Sequence, residues 1–291
     1  MTDQQLTPKQ VALALGVSEA SLKRWCDRGL LESRRTGGGH RRLPLQSVLK
    51  FLRERGQPLV RPELLGLPSE TGTGDLGLDR ALANSVECLA QGDEFLFRKA
   101  CMNLYMSRNN ACTIFDRVIA PAFSALGQRW EHGELQVYEE RRACEITLRL
   151  LRELRDLIPT LPENAPKAIG ATLTGNHYNL AACMAEITLR EAGWNAQFLG
   201  TDLPPETLIH AFKKERPRLC WLSVSYIPDN FDFNAAFNQL YEAAHPLGIP
   251  LVLGGSRITP EMRRDLPCAA VCDSFLNLST FASTLSQRPL V

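Results

Sequence analysis

Three short segments in the second half of the chain carry groups suited to holding a ligand. His177 lies just before a helix-like run, and imidazole is a common metal ligand. Ser223 and Ser225 close an apolar run, where their hydroxyls can donate hydrogen bonds to a ligand. Gly254 and Gly255 close the next run and allow a flat ligand or a phosphate to approach the backbone closely. Taken alone, each feature has an ordinary alternative, namely a solvated histidine, a polar strand end or a common glycine turn.

The elements that must position these residues alternate from Lys167 onward. Predicted strands cover 168–173, 196–199, 219–224, 250–253 and 269–272, and predicted helices cover 180–192, 205–215, 233–245, 260–264 and a last segment from 276. Strict alternation predicts a parallel sheet, and such sheets bind ligands at the carboxyl ends of their strands. We therefore expect a Rossmann-like (flavodoxin-like) α/β domain over 166–291, with the three segments at one edge.

Helical spacing dominates the region before this domain. Between 78 and 163 proline and glycine become rare and apolar residues recur three and four apart, which predicts a four-helix-bundle cap. Trp130 ends one helix, and Glu140 and Arg141 follow after nine further residues at the start of the next. A tryptophan there is compatible with a core position, and an acid in a first helical turn is favoured by the helix dipole.

Two short helices separated by a tight turn begin the chain. Thr7-Pro8 is typical of an N-cap followed by proline in the first turn, Gly16 ends that helix, and Ser18 caps a second one. This arrangement predicts a helix-turn-helix, whose second helix enters the DNA major groove. The polar residues expected on the DNA-facing side of that helix are Ser21, Lys23, Arg24 and Arg28.

A basic hairpin follows the second helix. Two extended segments flank a triple glycine, and together with the preceding helices they predict a winged helix-turn-helix over 1–57. The wing residues expected to reach phosphates or the minor groove are Arg34, Arg35, His40, Arg41 and Arg42. Pro44 is expected to open a closing helix, and the proline- and glycine-rich stretch 58–77 predicts a linker.

Charge is unevenly distributed. Residues 1–61 contain twelve Lys/Arg and five Asp/Glu, a net charge of +7, so the remainder carries −6. A basic N-terminal head (residues 1–61) joined to an acidic remainder favours double-stranded DNA as the partner, because only the head would be attracted to the DNA phosphates. No segment approaches the roughly 20 apolar residues of a membrane span. The start of the chain lacks the basic and apolar regions of a secretory signal, so we expect a cytoplasmic protein that does not associate with membranes.

These motifs resemble known families. Residues 6–56, with the wing sequence RRTGGGHRRL, resemble the MerR-type DNA-binding domain. The pattern Gly175-x-His177-x-x-Leu180, 42 residues, Ser223-x-Ser225, 28 residues and Gly254-Gly255 resembles the cobalamin-binding domain of methionine synthase, corrinoid proteins and cobalamin mutases. The order of head, cap and α/β domain is similar to that of the CarH/LitR-type photoreceptor repressors.

The resemblance implies a non-enzymatic transcription regulator, a repressor, that binds adenosylcobalamin or methylcobalamin and assembles as a dimer or tetramer. It implies that His177 is the lower cobalt ligand and that Trp130 and Glu140 contact the upper face. It places Ser223, Gly254 and Gly255 along the nucleotide tail of the cofactor. Light is a further expected signal.

Four positions depart from the family pattern. Gly175 replaces the aspartate that orients the histidine, Leu180 replaces a glycine, Ser225 replaces a leucine, and Arg141 replaces the histidine that follows Glu140. One alternative is therefore a MerR-like regulator whose cobalamin-type domain has lost the cofactor or senses another ligand or tetrapyrrole. The third hypothesis is a corrinoid enzyme. The chain leaves no room for a substrate-binding barrel of about 250 residues, which argues against this hypothesis.

Overall fold

The computed structural model describes residues 5–55, 57–67, 77–107 and 109–286, which form two compact units. The first is Met1–Pro159 and the second is Thr160–Val291. None of the helices in the described residues is both long enough and apolar enough to cross a bilayer.

The first unit opens with two capped helices and a small antiparallel sheet. Its elements are β1 (Gln5–Leu6), α1 (Pro8–Ala14), α2 (Glu19–Asp27), β2 (Arg34–Arg35), β3 (Arg41–Pro44) and α3 (Leu45–Arg55). The side chains of Thr7 and Ser18 accept hydrogen bonds from the first turns of α1 and α2, which confirms both predicted helix starts. The sheet order is β1-β3-β2. The prediction for Pro44 was wrong, because Pro44 pairs with Gln5 in the sheet and α3 begins one residue later.

The stretch predicted to be a linker begins with ordered structure. Pro62–Leu65 form a 3-10 helix, and the backbone N–H groups of Val60 and Arg61 donate to the Ala14 carbonyl at 2.8 and 3.0 Å. Composition indicated only chain breakers, whereas three of the four leucines of this segment, Leu59, Leu65 and Leu67, are buried. Residues 68–76 of the predicted linker lie outside the described residues.

Helices account for the rest of the first unit. They are α4 (Leu78–Gln91), α5 (Glu94–Met106), α6 (Ala111–Ile114), a π-helical turn (Phe115–Ile119), α7 (Ala120–Glu131) and α8 (Val137–Leu157). Helix α4 contacts α5, α7 and α8, and large side chains such as Phe97, Phe115 and Leu126 are fully buried among them. Helix α3 contacts α5 and α8, so the head and the helices form a single compact unit.

The second unit is a five-stranded parallel sheet with helices between its strands. Its elements are β4 (Lys167–Ala171), α9 (Leu180–Glu191), β5 (Asn195–Phe198), α10 (Pro205–Glu215), β6 (Leu219–Ser223), α11 (Phe233–Ala244), β7 (Leu251–Gly254), α12 (Pro260–Asp265), β8 (Ala270–Cys272) and α13 (Phe275–Ser286). The strand order is β5-β4-β6-β7-β8, the doubly wound arrangement predicted from the alternation. Two buried clusters, one around Phe212 and Phe237 and one around Trp194 and Trp221, form its core.

Candidate functional site

Positive charge gathers on the surface formed by α2 and the β2–β3 hairpin. Most of the polar residues predicted there are exposed, namely Lys23, Arg24, Arg28, Arg34, Arg35 and His40. A cleft of about 510 Å³ lies between α1, α2 and the hairpin and is lined by Lys23, Arg35 and His40, among others. Helix α2 presents its cations outward because Leu22 is fully buried and Trp25 packs on Phe51 of α3, with ring centroids 4.9 Å apart.

Arg41 differs from the other hairpin arginines. Its Nη2 lies 2.7 Å from Asp27 Oδ1, its Nη1 donates to the Lys23 carbonyl at 3.4 Å, and its side chain is only 20% exposed. The hydrogen bond to Asp27 raises the pKa of the Arg41 guanidinium above its ordinary value. Arg41 therefore fastens the hairpin to α2, whereas Arg35, its register partner on β2, is exposed.

Other predicted DNA-contacting side chains also have partners in this region, and even the exposed Arg34 lies 3.4 Å from Glu32 Oε1. The guanidinium of half-buried Arg42 donates to the Arg41 carbonyl at 3.1 Å. The Ser21 hydroxyl lies 3.0 Å from that of Ser18 and accepts from Arg24 at 3.2 Å, close to the start of α2. Sequence spacing could not separate these residues from the exposed cations, because the partners depend on tertiary contacts.

In the second unit, the three predicted ligand segments lie at the carboxyl edge of the sheet. Ser223 ends β6 and is paired in register with Gly254 at the end of β7, and His177 lies in the segment that follows β4. The His177 side chain is 72% exposed. Ser223 is buried, and within the described residues its hydroxyl has no hydrogen-bond partner. An unsatisfied buried hydroxyl is costly and calls for a ligand or a water molecule.

Backbone geometry explains the second glycine of the pair. Gly255 has φ = +130°, and a Cβ added there would lie 2.3 Å from the Val224 carbonyl oxygen. That oxygen also accepts from the Arg257 N–H at 3.1 Å. A side chain at Gly255 is therefore both strained and sterically blocked, which keeps bare backbone beside Ser223.

A buried asparagine, which sequence reasoning missed, shapes the segment that carries His177. The Asn176 side chain donates to the Ser223 carbonyl at 3.0 Å, and its Oδ1 accepts from the Tyr178 N–H at 3.1 Å. Its own carbonyl accepts from the Thr172 hydroxyl at 2.5 Å. These bonds hold the segment against the end of β6 while His177 points outward.

Gly175 stands where the cobalamin-binding pattern has an aspartate, and the backbone conformation also requires a glycine there. Its φ is +79°, and an added Cβ would lie 2.1 Å from Pro228 Cγ. Its N–H donates to Asp202 Oδ1 at 2.6 Å. The other oxygen of that carboxylate, Oδ2, lies 3.9 Å from His177 Nδ1. Sequence reasoning missed Asp202, since it belongs to a different loop, the one after β5.

The residues expected above the ligand belong to the first unit. Trp130 is half exposed near the end of α7, and Glu140 lies in the first turn of α8. Glu140 Oε1 accepts from the Cys144 thiol at 3.2 Å, and Oε2 lies 3.5 Å from Arg141 Nε. Burial and the neighbouring Glu140 raise the pKa of the Cys144 thiol to about 12. The expected contacts of Trp130 and Glu140 with a ligand stay predictions.

Comparison with known families assigns a class to these parts. Residues 6–56 match a helix-turn-helix domain, residues 166–273 match a B12 binding domain, and residues 82–155 match a second B12 binding domain family. The chain thus combines a helix-turn-helix domain with B12-binding domains.

The particular relatives are repressors. The chain is 28% identical over 142 residues to the HTH-type transcriptional repressor CarH of Myxococcus xanthus, and 27% identical over 140 residues to CarA of the same organism. Each match covers about half of this chain (49% and 48%) and 46% of the relative, so the chain spans about half the length of the curated relatives it matches.

A solved structure shares the fold. The monomethylamine corrinoid protein of Methanosarcina barkeri superposes with a TM-score of 0.61 at 12% identity, covering 72% of this chain and all of that protein. At this level of identity the likeness concerns the fold alone.

Proposed function

We propose that this protein is a DNA-binding transcription regulator, a repressor, whose activity is controlled by cobalamin. The single observation that carries the proposal is the buried Ser223 hydroxyl, which has no partner among the described residues and belongs to the last residue of β6, at the carboxyl edge where parallel α/β sheets bind ligands. The same chain carries the exposed cations of a helix-turn-helix domain.

For DNA binding, α2 enters the major groove and the β2–β3 hairpin serves as a wing. The exposed cations Lys23, Arg24, Arg28, Arg34 and Arg35 neutralise phosphates or reach base edges, and His40 extends the hairpin tip. Arg41 has a different role, since its contact with Asp27 sets the angle of the wing. A dimer or tetramer would present paired heads to a palindromic site.

The residues at the sheet edge fit a cobalamin. Ser223 offers an unused hydroxyl, and Gly254 and Gly255 leave backbone exposed beside it for the nucleotide tail. An imidazole of this chain would supply a nitrogen to the ligand position left on the cobalt of a bound corrin. His177 is exposed at this edge and is the side chain we assign to that position.

Retention of the cofactor tests this proposal. The full chain is incubated in darkness with adenosylcobalamin or methylcobalamin, desalted, and its absorption spectrum recorded before and after green illumination. We expect a retained corrinoid in the wild type and a changed spectrum in His177→Ala, while His210→Ala, which removes another exposed histidine of the same unit, leaves the spectrum unchanged. A change of mass on illumination would support light as the signal and assembly as the response.

The departures at Gly175, Leu180 and Arg141 favour one other function, a regulator that senses a different tetrapyrrole or small molecule. If the wild type retains no corrinoid, the cobalamin proposal fails and this alternative remains. A haem or other tetrapyrrole spectrum in protein purified without additions would support it directly.

A further inference from the structure

The lower ligand site of this chain lacks the aspartate that normally accompanies the histidine, and the backbone explains why. At Gly175 the left-handed φ of +79° and the proline ring of Pro228 exclude a side chain. A metal-bound imidazole nevertheless almost always donates its second N–H to a carboxylate, a backbone carbonyl or a water molecule. The loop therefore needs such a group from another part of the fold.

We propose that Asp202 supplies this carboxylate and acts as the positioning residue for His177. The inference rests on the proposed cobalamin function. Asp202 lies after β5, the strand next to β4, so its loop and the His177 loop meet at the same edge of the sheet. Its Oδ2 is 3.9 Å from His177 Nδ1, which leaves Nε2 as the nitrogen that can face a metal.

Asp202 is held in place more firmly than an ordinary surface carboxylate. Its φ is +58°, a left-handed conformation that only a few residue types tolerate. Its N–H donates to the Thr172 hydroxyl at 3.1 Å and the Asn176 carbonyl at 3.2 Å. Its Oδ1 accepts from the Gly175 N–H at 2.6 Å. One carboxylate oxygen therefore closes the loop and the other is left for the imidazole.

Asp202→Asn distinguishes the hydrogen bond that closes the loop from the contact that positions the imidazole. Asparagine tolerates the left-handed conformation, and its amide oxygen can still accept from the Gly175 N–H. Its NH₂ group would then face His177 and, being a donor, would favour the tautomer that carries the proton on Nε2. That tautomer cannot bind a metal through Nε2, so the loop would persist while ligation weakens.

The experiment compares dark binding of methylcobalamin to the full-length wild type, Asp202→Asn and His177→Ala, with Asp229→Asn as a matched loss of an exposed carboxylate in the neighbouring loop. We expect Asp202→Asn to weaken affinity about 10- to 100-fold, as is usual when the hydrogen-bond partner of a metal-bound imidazole is replaced. Nitrogen splitting in the EPR spectrum of the Co(II) form should diminish in Asp202→Asn and in His177→Ala but persist in Asp229→Asn. Wild-type affinity and wild-type splitting in Asp202→Asn would overturn the inference while the proposed function stands.

A ligand-free measurement keeps the two proposals distinguishable. ¹⁵N NMR of the apo protein at about pH 8 reports which ring nitrogen of His177 carries the proton. We expect the Nδ1–H form in the wild type and a shift toward Nε2–H in Asp202→Asn. If neither protein retains corrinoid but the tautomer shifts, the proposed function fails and the positioning role stands. An unchanged tautomer overturns the positioning role.

Discussion

Replacing each of two paired arginines tests which hairpin cations touch DNA. Arg35 and Arg41 face each other in the β2–β3 register, yet Arg35 is exposed and Arg41 is bound to Asp27. Each phosphate contact contributes about 0.9 to the slope of log affinity against log salt. Losing one contact therefore reduces the affinity ratio between 50 and 200 mM salt about 3.5-fold. The five exposed cations of α2 and the hairpin, Lys23, Arg24, Arg28, Arg34 and Arg35, would together contribute about −4.5 to the slope per head.

The assay is fluorescence anisotropy of a random-sequence duplex across that salt range, combined with thermal unfolding. Arg35→Ala should lower the magnitude of the slope by about 0.9 and leave stability unchanged. Arg41→Ala should leave the slope nearly unchanged and lower the free energy of unfolding by up to about 1 kcal/mol, since it breaks a partly exposed ion pair. Equal loss of slope in both variants would refute the distinction drawn from the Asp27 contact.

Three further predictions concern the loop, the thiols and the helices of the first unit. Gly175→Asp, which introduces the aspartate of the cobalamin-binding pattern, should lower the melting temperature and not improve cobalamin affinity, because its Cβ would meet a proline ring at 2.1 Å. Cys101 and Cys144, whose pKa values burial raises to about 12, should resist alkylation at pH 8 until the protein unfolds, as measured by mass spectrometry. Glu94→Gln should cost up to about 1 kcal/mol at pH 7, because Arg149 lowers the pKa of Glu94; chemical denaturation at several pH values checks this.

The sign of the last effect follows from linkage. A carboxylate whose pKa is lowered by folding contributes stability above its unfolded pKa and loses that stability as the pH falls through its folded pKa. The difference between the wild type and Glu94→Gln should therefore vanish in acid. A difference that grows on acidification would contradict the role of the Glu94–Arg149 ion pair. Rapid alkylation of Cys101 or Cys144 in the native protein would contradict the burial of that thiol. A more stable Gly175→Asp would contradict the steric clash with Pro228.

The parallel sheet was predictable because its signals are local. Each strand of the second unit is a short apolar run, each helix has its own period, and the predicted and observed ends agree within two residues. The segment around Leu65 was harder, since prolines and glycines obscured three leucines that pack in the core of the first unit. Pro44 was misplaced because its pairing with Gln5 depends on a partner 39 positions away.

The same difference between local signals and long-range contacts decides which residues of the candidate site could be predicted. His177, Ser223 and the two glycines could be selected from their spacing, since each lies at a strand end within one motif. Asn176 and Asp202 were missed because their roles depend on contacts between loops. The exposure of Arg35 and the pairing of Arg41 were likewise hidden, because alternation in a short hairpin does not reveal which side chain meets Asp27.

The most direct test of the account is whether cobalamin bound at His177 changes DNA affinity. Duplexes selected from a random pool for binding to the full chain would be titrated in darkness, by anisotropy, with and without adenosylcobalamin, for the wild type and His177→Ala. We expect a change of about 5- to 150-fold in the wild type, the usual range for coupled sites, and a much smaller change in His177→Ala. A wild type that retains corrinoid but binds DNA with unchanged affinity would contradict control of DNA binding by cobalamin.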